Sequence, residues 1–459
     1  MSNPDDSAAS TTQEYERERV PDKAQKGPGS FWGMYAGEHT AGTEFMIGPL
    51  FVAWGVGAMD LITGLLVGNL MAVLMWRFVT AEVAVRTRET LYFKLEKICG
   101  ANLAVLYNLA NGILFCFLAG SMITVSATAV GVPFPGIKMP TFADLYPTGA
   151  AWTVVCIIIG MIITAVAVRG YAFVARMSNL AAPWMFLIFV ACGIVTLGKL
   201  NTTDVMALLE PAPDTERQIG FWGVVFFSWF CNAAMNIGMA DMSVLRYAKK
   251  PSSGWAAAAG MYLGHYVAWV CAALLLMYWV RERGADPTVG VAPGPMVFDA
   301  VGWAGIVCVI IAGWTTANPT IYRAGLAFQG AVRSISRTKA TILAGAVSTA
   351  AGIFPAFAMN LLGFVGIYGT ILAPIGAIIF ADVFLAPRMG LPSEPAKRAG
   401  IAFSWNVLIA WVVPVSIALY IHFTQGVPAH FLPLPSWIAC GALYLVLTRV
   451  NNPVRTVQA

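Results

Sequence analysis

Apolar runs of membrane-crossing length alternate with short polar segments from about residue 34 to 449. A spanning helix needs about 20 predominantly apolar residues. On that measure, spans fall near 34–58, 61–84, 103–130, 150–168, 177–199, 219–243, 256–280, 296–330, 340–357, 361–385, 401–422 and 432–449. The segment 296–330 is longer than a crossing needs, which predicts a strongly tilted or projecting helix. The pattern predicts an all-α integral membrane protein of twelve transmembrane helices: a transport core over 31–385 (helices one to ten), then helices eleven and twelve over 386–450. The polar stretch 1–30 reads as a disordered cytoplasmic tail, and 451–459 as a short C-terminal one.

Two runs are interrupted. Span one carries Gly37-Glu38-His39-Thr40-Ala41-Gly42-Thr43-Glu44-Phe45-Met46-Ile47-Gly48-Pro49, which predicts a break at Gly42–Gly48. Span six carries small and amide residues through Asn232, Asn236, Gly238 and Asp241. Breaks five spans apart are what a five-plus-five inverted repeat produces, and helices broken at membrane depth expose backbone where it lines a site.

Charge decides the orientation. With the N-terminus inside, the outer loops hold five of the 28 basic residues (Lys138, Lys199, Arg217, Arg281 and Arg283), and the other 23 lie in the inner loops, the tails and the inner parts of the spans. This positive-inside bias places a multi-pass protein in the cytoplasmic (inner) membrane with both termini cytoplasmic. The net charge of +5 therefore implies the bilayer and not a nucleic-acid partner. Only 11% of residues are charged and 58% are hydrophobic, against about 25% charged in soluble domains. The eight cysteines form no CxxC pair and the four histidines are dispersed, which argues against disulfides, zinc and metal-enzyme chemistry.

Glu44 is the residue most at odds with its surroundings. A carboxylate at mid-membrane costs about 2.5–3.5 kcal/mol or more, so it needs a ligand, a proton or a partner. Three roles are open: pairing with a cationic or amidine-like substrate, carrying a coupling proton, or pairing with a fixed neighbour such as His39. Asp241 is expected near the inner end of span six, paired with Arg246 or another helix.

Several stretches resemble one family. Trp314-Thr315-Thr316-Ala317-Asn318, followed by Tyr322, Gly325 and Leu326, resembles the eighth helix of cytosine permeases. Leu66-Val67-Gly68-Asn69-Leu70 resembles their second helix, Ser243-Val244-Leu245-Arg246-Tyr247-Ala248 the end of their sixth, and Pro374 to Asp382 the end of their tenth. These belong to the nucleobase–cation symporter family of purine, cytosine, uracil, allantoin and hydantoin permeases. The resemblance implies a LeuT-like fold with broken helices one and six and alternating access. It also implies a Na⁺ site in which the hydroxyls of Thr315 and Thr316 are joined by the carbonyls of Ala312, Gly42 and Phe45, and a heterocycle clamped by rings from helices three and six. Phe115 then stands where cytosine permeases carry a tryptophan, and Asn111 or Gly112 where they carry a glutamine. On helix six the candidates are Trp229, Phe230, Asn232 and Asn236, and Asn318 lies in the matching motif of helix eight. Glu44 departs from the serine-rich pattern of these relatives.

The expected activity is secondary-active, cation-coupled import, with Na⁺ as the coupling ion. The cargo is a small nitrogen-rich compound: a nucleobase-like heterocycle or a cationic guanidine, amidine or amine. The alternative is a proton-coupled nucleobase permease with Glu44 as proton carrier. A channel would need a continuous polar stripe, and a membrane enzyme a cluster of carboxylates or histidines at one depth; neither is apparent. Nothing in the sequence sets the oligomeric state, a monomer included.

Overall fold

The computed structural model describes residues 14–134, 136–140, 144–200, 206, 209–211, 216–287, 291–359 and 361–451, with the side chains of 234–237, 357, 359 and 362 outside that description. Among the described residues the secondary structure is helical, apart from one isolated bridge between Lys26 and Ala248. Among the described residues nine helices are long and apolar enough to cross a membrane. Spans one and six are divided into shorter pieces, and span nine, Arg337–Ile353, is one residue shorter than the shortest of the nine. Twelve crossings result.

Span one consists of an inner half, Gly29–His39, where inner denotes the side that carries the N-terminal segment, and an outer half, Glu44–Ala53. The break therefore lies at 40–43, one turn before the expected Gly42–Gly48. Gly48 serves packing instead: a Cβ there would come within 2.5 Å of the Trp269 carbonyl on span seven. Gly42 lies in the break and backs onto spans three and eight, where a Cβ would stand 2.8 Å from Val125 of span three and 3.2 Å from the Gly313 nitrogen of span eight. Span six runs Phe221–Ile237, turns at 238–241 and resumes as Met242–Leu245. Met239 in that turn is fully buried with φ of 62°, a conformation costing of order 1–3 kcal/mol that its surroundings must impose.

Spans three (Ala101–Gly131) and eight (Trp303–Ala331) form the most extensive helix pair. Small residues allow this closeness: a Cβ on Gly313 would stand 2.7 Å from the Met122 carbonyl and closer still to the Ser126 hydroxyl. The expected long helix over 296–330 is two elements, Pro293–Val301 on the outer side and span eight, separated at Gly302, whose φ of 62° suits glycine. Span seven, Pro251–Arg283, contains a π-type turn over Ala259–Tyr266, and span two, Ala58–Thr87, one over Trp76–Thr80. Such turns widen a helix locally and re-aim its side chains.

The expectation of a disordered tail over 1–30 fails for the described part, residues 14–30. This segment crosses the inner face and is held by other elements. Tyr15 accepts from Arg246 at 2.7 Å, Glu16 from Thr90 at 3.0 Å, Arg17 pairs with Glu96 at 2.6 Å, and the Lys26 amide donates to Tyr247 at 2.7 Å. Its polar composition gives it no core of its own, and order comes from bonds to distant residues that local composition does not reveal.

Gly313→Leu should separate spans three and eight and cost about 1–3 kcal/mol through overpacking. A lowered melting temperature of the detergent-solubilised protein checks this, and an unchanged one would show that the pair tolerates a larger gap.

Candidate functional site

A cavity of about 130 Å³ lies where the two breaks meet spans two, three, seven, eight and ten. A dry cavity of about 150 Å³ holds one benzene-sized molecule, so this space suits a single small ring or less. Its polar wall comes from Glu38, His39, Thr43 and Glu44 of span one, Asn232 and Asp241 of span six, His265 of span seven, and Thr316, Thr320 and Arg323 of span eight. Its apolar wall includes Ile47, Leu118, Met122, Leu361 and Val365.

Glu44 opens the outer half of span one and is 2% exposed. The helix N-terminus favours a negative charge there. Its Oε2 accepts from the Trp269 indole, and its Oε1 faces the Thr43 hydroxyl at 3.3 Å and His265 Nε2 at 3.5 Å. The His265 and Trp269 rings are stacked at 4.5 Å. The neighbour expected for Glu44, His39, instead turns its Nδ1 to the Tyr35 carbonyl at 2.8 Å, and its ring lies 4.7 Å from that of His265. Gly260 and Gly264 of span seven make room for it, since a Cβ on either would come within 2.6 Å of His39.

The partners of Asn232 assign the His265 tautomer. Asn232 Nδ2 donates to the Ser228 carbonyl at 2.8 Å and to Asn69 Oδ1 at 2.7 Å. A carbonyl only accepts, so the amide oxygen must face His265 Nδ1, which donates to it. Nε2 is then the atom left facing Glu44. Spans two, six, seven and one are thus linked through Asn69, Asn232, His265 and Glu44.

At the inner end of the cavity Arg323 donates to both carboxylate oxygens of Glu38, 3.1 Å for the Nη2–Oε2 contact, and to Asp241. Arg246, the first partner considered for Asp241, bonds elsewhere: to the carbonyls of Ser243 and Tyr15 and the hydroxyls of Tyr247 and Tyr322. The formal count is three carboxylates against one guanidinium, so the cavity has negative character.

Of the residues singled out from sequence, His39, Glu44, Asn232, Asp241 and Thr316 line the cavity. Phe115, Asn111, Trp229, Phe230 and Asn318 are buried outside its lining. Asn111 donates to Tyr92 at 3.2 Å. The side chain of Asn236 lies outside the described residues. Asn111, Phe115, Leu118 and Met122 share one face of span three at i, i+4, i+7 and i+11, and of these Leu118 and Met122, one and two turns beyond Phe115, line the cavity. The rings at the cavity come from spans one, two and seven: His39, Trp76 and His265. Sequence reasoning missed Arg323, Glu38, Trp76 and His265. A histidine and an arginine inside apolar runs were the available signals.

The oxygen-rich group beside the cavity fits a hard cation. The hydroxyls of Thr315 and Thr316 each lie 3.2 Å from the Ala312 carbonyl, and Thr316 also donates across to the Glu38 carbonyl at 2.8 Å. Pro49 has no amide hydrogen to give the Phe45 carbonyl four residues back, which leaves that oxygen available. Gly42 sits opposite Gly313. Thr315 also touches the Met185 sulfur at 3.3 Å, a soft and weak donor to such an ion. Among the described residues no three His, Cys, Asp or Glu side chains gather as a metal site.

No protein-family model and no curated protein sequence matches the chain. Solved structures do. Mhp1, a nucleobase-cation-symport-1 family transporter in a closed conformation with bromovinylhydantoin bound, superimposes with a TM-score of 0.70 at 15% identity, covering 96% of each chain. Its inward-facing conformation gives 0.66 at 14% identity over 98% of this chain and 94% of the other. A Na⁺-coupled sialic acid symporter in a substrate-bound outward-open state gives 0.64 at 14% identity over 96% and 92%. At these identities the likeness establishes the fold, the LeuT-like arrangement with broken spans one and six.

Phe115→Ala should cost about 3–5 kcal/mol of stability through the cavity it opens and leave ligand affinity within a factor of two to three in the folded fraction. A tenfold affinity loss at unchanged melting temperature would return Phe115 to the ligand site.

Proposed function

We propose that the chain is a secondary-active, cation-coupled importer that works by alternating access and carries a small cationic molecule of the guanidine, amidine or amine class. The observation that carries this reading is Glu44: a buried carboxylate at a helix N-terminus, in the wall of a ring-sized cavity that Arg323 neutralises only in part. A planar amidinium offers two parallel N–H donors, and a carboxylate accepts them as a pair. Asn232, His39 and His265 present further polar edges, and Trp76 an aromatic face. The apolar wall excludes water and strengthens each of these contacts.

The coupling ion in this reading is Na⁺, held by the carbonyls of Gly42, Phe45 and Ala312 and the hydroxyls of Thr315 and Thr316. Its gradient supplies the work: one charge crossing 100 mV is worth about 2.3 kcal/mol. The site joins span one to span eight, so filling it favours the arrangement in which the two are together. The protein would sit in the cytoplasmic membrane with both termini inside, as its basic loops require.

A second reading is favoured by one contact. With Nδ1–H committed to Asn232, His265 Nε2 faces Glu44 Oε1 at 3.5 Å, and a single proton between them would satisfy both. That arrangement suits a proton-coupled nucleobase permease with Glu44 as the carrier.

Glu44→Gln separates the two. It should weaken binding of a guanidinium or amidinium compound at least tenfold, in line with the about 2–5 kcal/mol lost on truncating one partner of a buried charged pair. Thermal-shift titrations of wild type and variant measure this. A proton carrier would instead keep binding and exchange in the variant and lose pH-driven accumulation. Thr315→Ala/Thr316→Ala should abolish the Na⁺ dependence of ligand binding in the same titrations, and wild-type sodium dependence in the double variant would remove the assignment.

A further inference from the structure

We propose that Arg323 is a tethered cation that latches the cavity shut toward the face carrying the N-terminus, and that Glu38, Arg323 and Asp241 must come apart before the cavity opens that way. The three ions belong to three elements. Glu38 is the penultimate residue of the inner half of span one, Asp241 ends the turn that interrupts span six, and Arg323 lies on the continuous span eight. One guanidinium thus ties both broken helices, each at its break, to an unbroken one. A staple within a single rigid body would not need to join pieces on the mobile side of two backbone breaks.

Arg323 sits on the face of span eight that also carries Thr316 and Thr320, two turns and one turn inward of them respectively. The side chains of Arg323, Glu38 and Asp241 are 5%, 12% and 3% exposed. The cluster is nonetheless incompletely satisfied. Asp241 Oδ2 and Arg323 Nε are buried in the cavity wall with no hydrogen-bond partner. Arg323 therefore leaves part of the acceptor capacity of Asp241 unused, with the Tyr35 hydroxyl its other near neighbour.

A second layer lies beneath. Arg246 joins span six to Tyr322 of span eight, at 3.5 Å, and to the Tyr15 carbonyl of the N-terminal segment, at 2.7 Å. The latch also shapes selectivity, a point that rests on the function proposed above. With Arg323 seated on Glu38 and Asp241, Glu44 is the cavity carboxylate not held by a guanidinium, and the site takes one positive charge and not several.

Native Cys231 provides the test. It lines the cavity and is partly exposed, whereas the other seven cysteines are buried. Its rate of modification by a small, cationic, membrane-impermeant thiol reagent is measured in vesicles with the N-terminal face outward, with Cys231→Ser as the blank and no ligand present. Arg323→Gln should raise that rate at least tenfold. So should the triple variant Glu38→Gln/Arg323→Gln/Asp241→Asn, which buries no unpaired charge and keeps the shapes, so that it reports on the latch if the single variant misfolds. In Arg323→Ala, free guanidinium should slow the reaction again by refilling the vacated place. A wild-type rate in the triple variant would overturn the latch. Because the assay contains no substrate, its failure is distinct from failure of the functional reading, which would show as absent guanidinium binding in the wild type.

Discussion

A charge removed from water must find a partner, and here that rule organises the membrane interior. Three carboxylates, Glu38, Glu44 and Asp241, face one cavity. Arg323 meets two of them, while Glu44 is met by an indole, a hydroxyl and a histidine. The asymmetry gives the cavity its sign. It also explains why the polar residues of spans two, six and seven are drawn into one chain, since each secures the next.

The backbone makes this arrangement possible. Span one breaks between Glu38 and Glu44, so one helix contributes a carboxylate on each side of its own interruption. Glycines at 42 and 313 bring the break against span eight, and glycines at 260 and 264 bring His39 against span seven. Pro49 leaves the Phe45 carbonyl without its helical donor, at the point where an oxygen-liganded cation would be held. The strained Met239 marks the corresponding turn in span six.

The architecture was legible because long apolar runs and one-sided basic loops are strong local signals. Glu44 was legible because a carboxylate within such a run is costly anywhere. Its partners were not, because pairing depends on packing: Arg323 and Glu38 are 285 positions apart, and His265 faces Glu44 from a π-type turn that composition does not announce. On span three Phe115 shares a face with Leu118 and Met122, but periodicity carries no information on depth, and it is Leu118 and Met122 that sit at the level of the breaks. The inner-face segment over 14–30 was misjudged for a related reason, since its order comes from Arg246, Thr90 and Tyr247, far away in the chain.

The central claim is that a negatively charged cavity between two broken helices carries a cation across the membrane. Capacitive current from proteoliposomes adsorbed on a solid-supported electrode measures that most directly. Guanidinium, amidinium and amine compounds should evoke a saturable current of the sign of positive charge moving inward, and sodium should enlarge it. A current evoked by neutral heterocycles alone, with none from any cationic compound, would contradict the account.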